Sequence, residues 1–334
     1  MKKGRRILPV LLFVFILLFF VVINISIGTV NIPFTEVLKS LIGAEVDRKY
    51  SRIIFDIRLP RVIMGILCGA TLSVSGTLFQ ALLRNPLADP YILGISSGAA
   101  FGTVLSIAAF STAGVVTPLL YNLPLMAFAF ALLSAFATYF IARKGGKIPV
   151  VDLILAGVIM NFLFNAATTF VIVFGWRNVQ HATYWLMGSL SGASWGKITP
   201  MLLVSITGVF IGLILSNKLN AISLGEDEAI NLGVNVEKIK IVIFLTGTLL
   251  TAYCVTATGI VGFVGLIMPH TARLIFGPDH RISVPMSALF GGIFLSICDT
   301  IARSVFQPTE MPLGTITALV GAPIFIYLLR RGRK

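Results

Sequence analysis

The run Ile7-Leu-Pro-Val-Leu-Leu-Phe-Val-Phe-Ile-Leu-Leu-Phe-Phe-Val-Val-Ile-Asn-Ile-Ser-Ile27 contains no charged residue. As a helix rising 1.5 Å per residue it reaches about 30 Å, the thickness of the hydrocarbon core of a bilayer. Met1-Lys-Lys-Gly-Arg-Arg6 precedes it, so the run has the basic flank of a signal peptide. It is longer than a signal h-region and no small-residue cleavage site follows, so a retained first transmembrane helix is expected.

Working outward by the same rule gives nine further spans: 60–80, 93–111, 122–142, 151–174, 198–216, 240–258, 260–276, 283–299 and 312–329. The third is polar at its start, which allows a partial break. The seventh and eighth are joined only by Thr258-Gly-Ile-Val-Gly262, a tight uncharged hairpin. Hydrophobic residues make up 57% of the 334 and charged ones 12%, against about a quarter charged in soluble domains. Lipid must therefore solvate much of the chain.

The 26 basic and 13 acidic residues give a net charge of +13. No basic stripe with interleaved aromatics and no nucleic-acid module accompanies it, so a nucleic-acid partner is rejected. The basic residues instead sit between apolar runs. With the N-terminus inside, ten spans place 17 of them in cytoplasmic segments and 9 outside, which is the bias that orients membrane proteins. The expected architecture is an all-α membrane protein of about ten transmembrane helices with both termini cytoplasmic, forming one domain over residues 1–334.

Several chemistries are missing. Gly192-Ala-Ser-Trp-Gly196-Lys197 has three residues between its glycines where a phosphate loop needs four, and Ile198 stands where Ser or Thr should hold Mg²⁺. No nucleotide site, and hence no catalytic role, is expected in this chain. Cys68, Cys254 and Cys298 are far apart in apolar runs without metal or redox spacing, and read as small core residues. The acids fall in loops or at span ends, with Asp152 and Asp299 nearest the membrane, so no coupling carboxylate of the kind secondary transporters use is evident. Gly65 and Gly69, Gly94, Gly98 and Gly102, and Gly208 and Gly212 recur at i, i+4, as packing seams within a helical subunit require.

Two polar segments are candidates for contact with other proteins. In Leu224-Gly-Glu-Asp-Glu-Ala-Ile-Asn-Leu-Gly233, the acids Glu226, Asp227 and Glu228 suit a first helical turn and Gly233 its end. A second short helix is expected from Val236. Two short amphipathic helices form a docking knob for a soluble partner, or an ordinary solvated connector. In Ile57-Arg-Leu-Pro-Arg61, Pro60 suits a first turn and the arginines, three apart, share a face. Lying outside, they bind lipid phosphates or the carboxylates of an acidic extracellular partner.

Ile57-Arg-Leu-Pro-Arg61, Gly76 to Gln80, Asn85-Pro86-Leu-Ala-Asp89-Pro90 and Gly94 form a series that continues through Leu155-Ala-Gly157, Trp185-Leu-Met-Gly188 and Leu224-Gly225 with Ala229 and Leu232-Gly233. Gly262-Phe-Val-Gly265-Leu-Ile-Met-Pro269-His270-Thr-Ala-Arg273, Asp299, Arg303, Glu310-Met-Pro-Leu-Gly314 and Gly321-Ala-Pro323 complete it. In this order, from about residue 30 to the C-terminus, they resemble the FecCD-type permeases, the membrane subunits of importers for iron-siderophores, haem and vitamin B12.

The resemblance implies a type II ABC importer permease fold. Two permease copies line the pore, two cytoplasmic ATPases hold ATP and Mg²⁺, and a binding protein delivers cargo outside. On this pattern Arg58, Arg61 and Arg303 receive acidic residues of the binding protein. Leu224, Gly225, Glu226, Asp227, Glu228, Ala229, Leu232 and Gly233 fall on the segment that enters the ATPase cleft. Val150 and Val151 fall at the cytoplasmic gate, where relatives can carry small hydroxyl residues; a hydrophobic constriction closes by dewetting instead. Asn161 and Asn165, i and i+4 on the fifth span, either face the path or hydrogen-bond between helices. His270 stands alone and reads as structural rather than as a metal ligand. The alternative from another class is a secondary transporter or channel acting without an ATPase.

Overall fold

The computed structural model describes residues 4–28, 30–112, 117–174, 179–305, 307 and 309–331. Its helices are α1 (Gly4–Ser26), α2 (Phe34–Leu41), α3 (Arg48–Arg52), α4 (Leu59–Leu82), α5 (Ile95–Thr112), α6 (Thr117–Ala142) and α7 (Val150–Phe174). There follow α8 (Val179–Leu186), α9 (Trp195–Leu224), α10 (Glu226–Asn231), α11 (Val236–Thr258), α12 (Val264–Phe276), α13 (His280–Ser304) and α14 (Leu313–Arg331). Among the described residues seven helices are long and apolar enough to cross a membrane, and Ile95–Ala109, Val264–Phe276 and Leu313–Leu328 are shorter apolar helices. Each expected span holds one helix, but not every helix spans alone.

Three boundaries differ from expectation for identifiable reasons. The span expected at 60–80 belongs to one helical run, Arg48–Leu82. Its π turn at Ile53–Arg58 lets the Leu59 N–H reach the Ile54 carbonyl, and Pro60 follows directly. Proline supplies no donor, so the wider turn lets the helix continue through it. The helix expected to be short from Val236 runs unbroken to Thr258, capped by Asn235 accepting from the Lys238 N–H at 3.1 Å. The span expected at 260–276 is a helix of 13 residues preceded by non-helical chain, and so reaches only about 20 Å.

α4 is the central post of the bundle, packed by α9, α11, α12 and α13 and buried along nearly all its length. Its small residues make that possible. A Cβ on Gly69 would lie 2.1 Å from the Gly291 carbonyl oxygen, and one on Gly76 only 1.8 Å from that of Gly265. In lipid, apolar side chains gain little by leaving the hydrocarbon for one another, so close backbone approach and hydrogen bonds hold helices together. Ser75 supplies one such bond set, to the Gly247 carbonyl at 2.9 Å and the Thr251 hydroxyl at 2.7 Å. The expected seams are used within the chain: Gly98 meets the Phe130 carbonyl, Gly102 that of Met126, Gly208 Leu250, and Gly212 Val284.

Candidate functional site

At the Leu59 end of the bundle, Arg58, Arg61 and Arg303 line one cavity of about 240 Å³ with Gly28, Ile57 and Glu310. They come from the π turn, the first turn of α4 and the last turn of α13. The arginines are not free, as a docking surface would suggest, but buried and partnered. Arg58 donates to the carbonyls of Ile25 at 2.6 Å, Ser26 at 3.1 Å and Val30. Gly28 makes room for it, since a Cβ there would sit 2.6 Å from Nη2. Arg61 is clamped by Asp299, which accepts from Nε and Nη2 at 2.9–3.0 Å, and by a bidentate Glu310 at 2.9 Å. Arg303 donates to the Asn24 carbonyl and to Thr300, with Asp299 at 3.8 Å. A guanidinium taken from water must find acceptors. Here they lie 238 and 249 positions along the chain from Arg61, which is why spacing alone did not reveal them.

Halfway along α4 two broken segments meet. The chain between α4 and α5 ends in a 3₁₀ turn, Pro90–Leu93, capped by Asp89 accepting from the Tyr91 N–H at 2.8 Å. Gly94 then takes φ +83°, open to glycine, and starts α5. Between α11 and α12, Gly259 at φ +72° and Phe263 at φ +69° bound a non-helical stretch. The Tyr91 hydroxyl donates to the Val261 carbonyl at 3.0 Å and lies 3.3 Å from its N–H. Gly265 has Pro90 against it.

Backbone groups that a broken helix leaves open inside a membrane need other partners, and side chains provide them. Asn161 Nδ2 donates to the Tyr91 and Ile92 carbonyls at 3.2 and 3.1 Å, Thr138 to Leu93 at 3.1 Å, and Gln80 Nε2 to Ala88 and Leu266 at 3.2 and 3.0 Å. Arg273 in turn donates to Gln80 Oε1. Asn161 thus bonds between elements, while Asn165, one turn on, is exposed. Asn85, Pro86, Gly262, Pro269 and His270 lie on the same two segments and α12. Among the described residues no three of His, Cys, Asp and Glu group as a metal site.

The Leu82 end carries the knob. Gly225 separates α9 from α10, whose first turn holds Glu226, Asp227 and Glu228, with Ala229 buried beneath. Gly233 at φ +78° ends it. Leu224, Ile230 and Leu232 are 69, 58 and 65% exposed beside those acids. Val151, at the start of α7, is also exposed, and Val150 is half-buried. Lys240, unremarked in the sequence, is 3% exposed and bonds Glu226 at 2.7 Å, Glu237 at 3.0 Å and the Ile148 carbonyl at 3.1 Å. The only sequence signal for it was a lysine just inside an apolar run with an acid three residues before.

An all-helical bundle with helices long and apolar enough to cross a membrane is the architecture of a multi-pass membrane protein. Residues 16–331 match the model of the FecCD transport family, and the chain belongs to it. It is 45% identical to the cobalamin import system permease protein of Halobacterium salinarum, over 83% of this chain and 73% of that one. It is 34% identical to an Fe(3+)-citrate import system permease protein of Bacillus subtilis, over 100% and 97% of the two chains. Among solved structures, a chain of a metal-chelate type ABC transporter in an inward-facing conformation superposes with a TM-score of 0.84 at 32% identity, covering 97% of this chain and 99% of that one. As an ABC importer permease, the chain is a non-catalytic subunit that works with ATPase and binding-protein partners.

Proposed function

We propose that two copies of this chain form an alternating-access pore for a large metal chelate, with ten membrane passes per copy and both termini cytoplasmic. Relatives are named for cobalamin, Fe(3+)-citrate and hemin import, which supports a chelate of iron or cobalt as cargo. The observation that carries the reading is the knob: exposed Leu224, Ile230 and Leu232 interleaved with Glu226, Asp227 and Glu228 on and around one short helix. Apolar side chains exposed beside acids at the water-facing end of a membrane protein fit a protein partner better than lipid or water. We assign this face to an ATPase that binds ATP and Mg²⁺.

Val150 and Val151 form the gate in this reading. The binding protein docks at the opposite mouth, where an incoming carboxylate replaces Glu310 on Arg61, and Arg58 and Arg303 hold the cavity's shape. Purification of the tagged chain in mild detergent tests the proposal. Stoichiometric recovery of a P-loop ATPase with the wild-type chain, lost on Leu232→Asp, is the expected result. A chain recovered alone that still transports in ATP-free vesicles favours the secondary-transporter alternative.

A further inference from the structure

Lys240 lies beneath the knob, buried and outside its exposed face. Its ammonium has three donors, and three acceptors from three elements meet it: Glu226 of α10 at 2.7 Å, Glu237 of α11 at 3.0 Å, and the Ile148 carbonyl at 3.1 Å. Glu237 uses its other oxygen to accept the Ile148 N–H at 2.9 Å. Both main-chain polar groups of Ile148 are therefore held by α11, two residues before α7 begins at Val150.

The segment so held is stiff. Lys144 and Lys147 exchange backbone hydrogen bonds at 3.1 and 3.0 Å around Gly145 and Gly146, both at positive φ, a tight hairpin turn that glycine favours. Lys144 Nζ also bonds Asp152 in the first turn of α7 at 2.9 Å. Pro149 then leads into the helix, its carbonyl accepting from the Leu153 N–H at 3.0 Å. From Glu226 to Val151 the path passes through hydrogen bonds, ion pairs and a two-glycine turn, with no loose segment between.

We propose that Lys240 is a positioning residue for transport: it pins the first residue of the knob helix α10 to the hairpin ahead of α7, so that displacement of the knob moves the α7 N-terminus. The inference rests on the ATPase reading of the Leu224–Gly233 face and adds to it the route by which the stroke leaves that face. A buried ammonium needs an acceptor for each of its three donors, so releasing Glu226 or the Ile148 carbonyl leaves an N–H without a partner in a poorly solvated site. Such a two-ended contact joins the two elements through a contiguous network of hydrogen bonds and ion pairs, the kind of chain along which coupling is carried.

The test uses the chain co-expressed with its ATPase and binding protein and reconstituted in proteoliposomes. ATPase recovery, ATP hydrolysis and cargo uptake are measured together. Lys240→Met is expected to keep the ATPase bound and hydrolysing while uptake per ATP falls about tenfold, and Lys240→Arg, which keeps charge and donors, to restore most of it. A simple loss of folding would lower all three readings together.

An unchanged uptake-to-hydrolysis ratio in Lys240→Met overturns the inference. So does loss of the ATPase from that variant alone, which would make Lys240 part of the docking face. Should Lys240→Met fail to accumulate, Glu237→Gln, outside the Leu224–Gly233 face, is read the same way: it weakens the arm to Ile148, and a smaller fall in the same ratio is expected, whereas an unchanged ratio refutes the link. Failure of the wild-type chain to bring down any ATPase would instead remove the reading on which the inference stands.

Discussion

Arg61→Ala removes a guanidinium that makes five hydrogen bonds to Asp299 and Glu310. Asp299 is 2% exposed, and its remaining cation, Arg303, lies at 3.8 Å. Breaking a buried pair costs about 3–5 kcal/mol because a charge is stranded without water. Arg303 shields Asp299 in part, and the Glu310 side chain is 42% exposed and rehydrates, so the expected loss lies near the lower end, about 3 kcal/mol. Arg61→Met with Asp299→Leu strands no carboxylate, leaves Arg303 with the Asn24 carbonyl and Thr300 as acceptors, and should be more stable than the sum of its two single variants. Unfolding of the detergent-purified chain by heat or SDS titration, run as a double-mutant cycle, measures both. A single variant within about 0.5 kcal/mol of wild type, or a strictly additive cycle, would refute the argument. In either event, transport lost on charge reversal at Arg61 does not by itself identify a docking contact.

Three further outcomes can be checked by the same unfolding measurement. Gly76→Ala drives a methyl into the Gly265 carbonyl and should cost at least about 3 kcal/mol, whereas Gly196→Ala, with nothing within 4 Å, should be neutral or stabilising. Asn161→Leu leaves the Tyr91 and Ile92 carbonyls without their donor and should cost about 1–3 kcal/mol; an unchanged midpoint would mean that the broken segment holds itself. Burial pushes the Asp279 carboxyl up, but hydrogen bonds from Asn220 and from the side chain and backbone of Arg281 outweigh it and hold the pKa down to about 2. Its contribution is therefore full at neutral pH and lost as pH falls from about 4 through 2. Asp279→Asn should flatten the acid limb of a stability–pH profile, and a profile identical to wild type would exclude that role.

What the sequence by itself determined was the solvent of this chain, the location of its apolar helices, its small-residue seams and its family motifs. Each is a local property: a bilayer acts on some twenty consecutive residues, glycine permits close approach wherever it stands, and a knob such as Glu226 to Gly233 is written in neighbouring positions. The same locality explains what was misread. Pro60 does stand in the first turn of α4, but the π turn that joins α4 to the helical chain before it leaves no compositional mark. The span expected from 260 includes Ile260 and Val261 because they are as apolar outside a helix as in one. The tertiary structure alone decided which polar groups meet: Arg61 with Asp299 and Glu310, Tyr91 with Val261, Asn161 with the Tyr91 carbonyl, and Lys240 with Glu226 and Ile148. Where water is scarce, a buried charge or an unpaired carbonyl is satisfied by whatever donor or acceptor the packing of helices brings within about 3 Å, and that packing joins residues far apart along the chain.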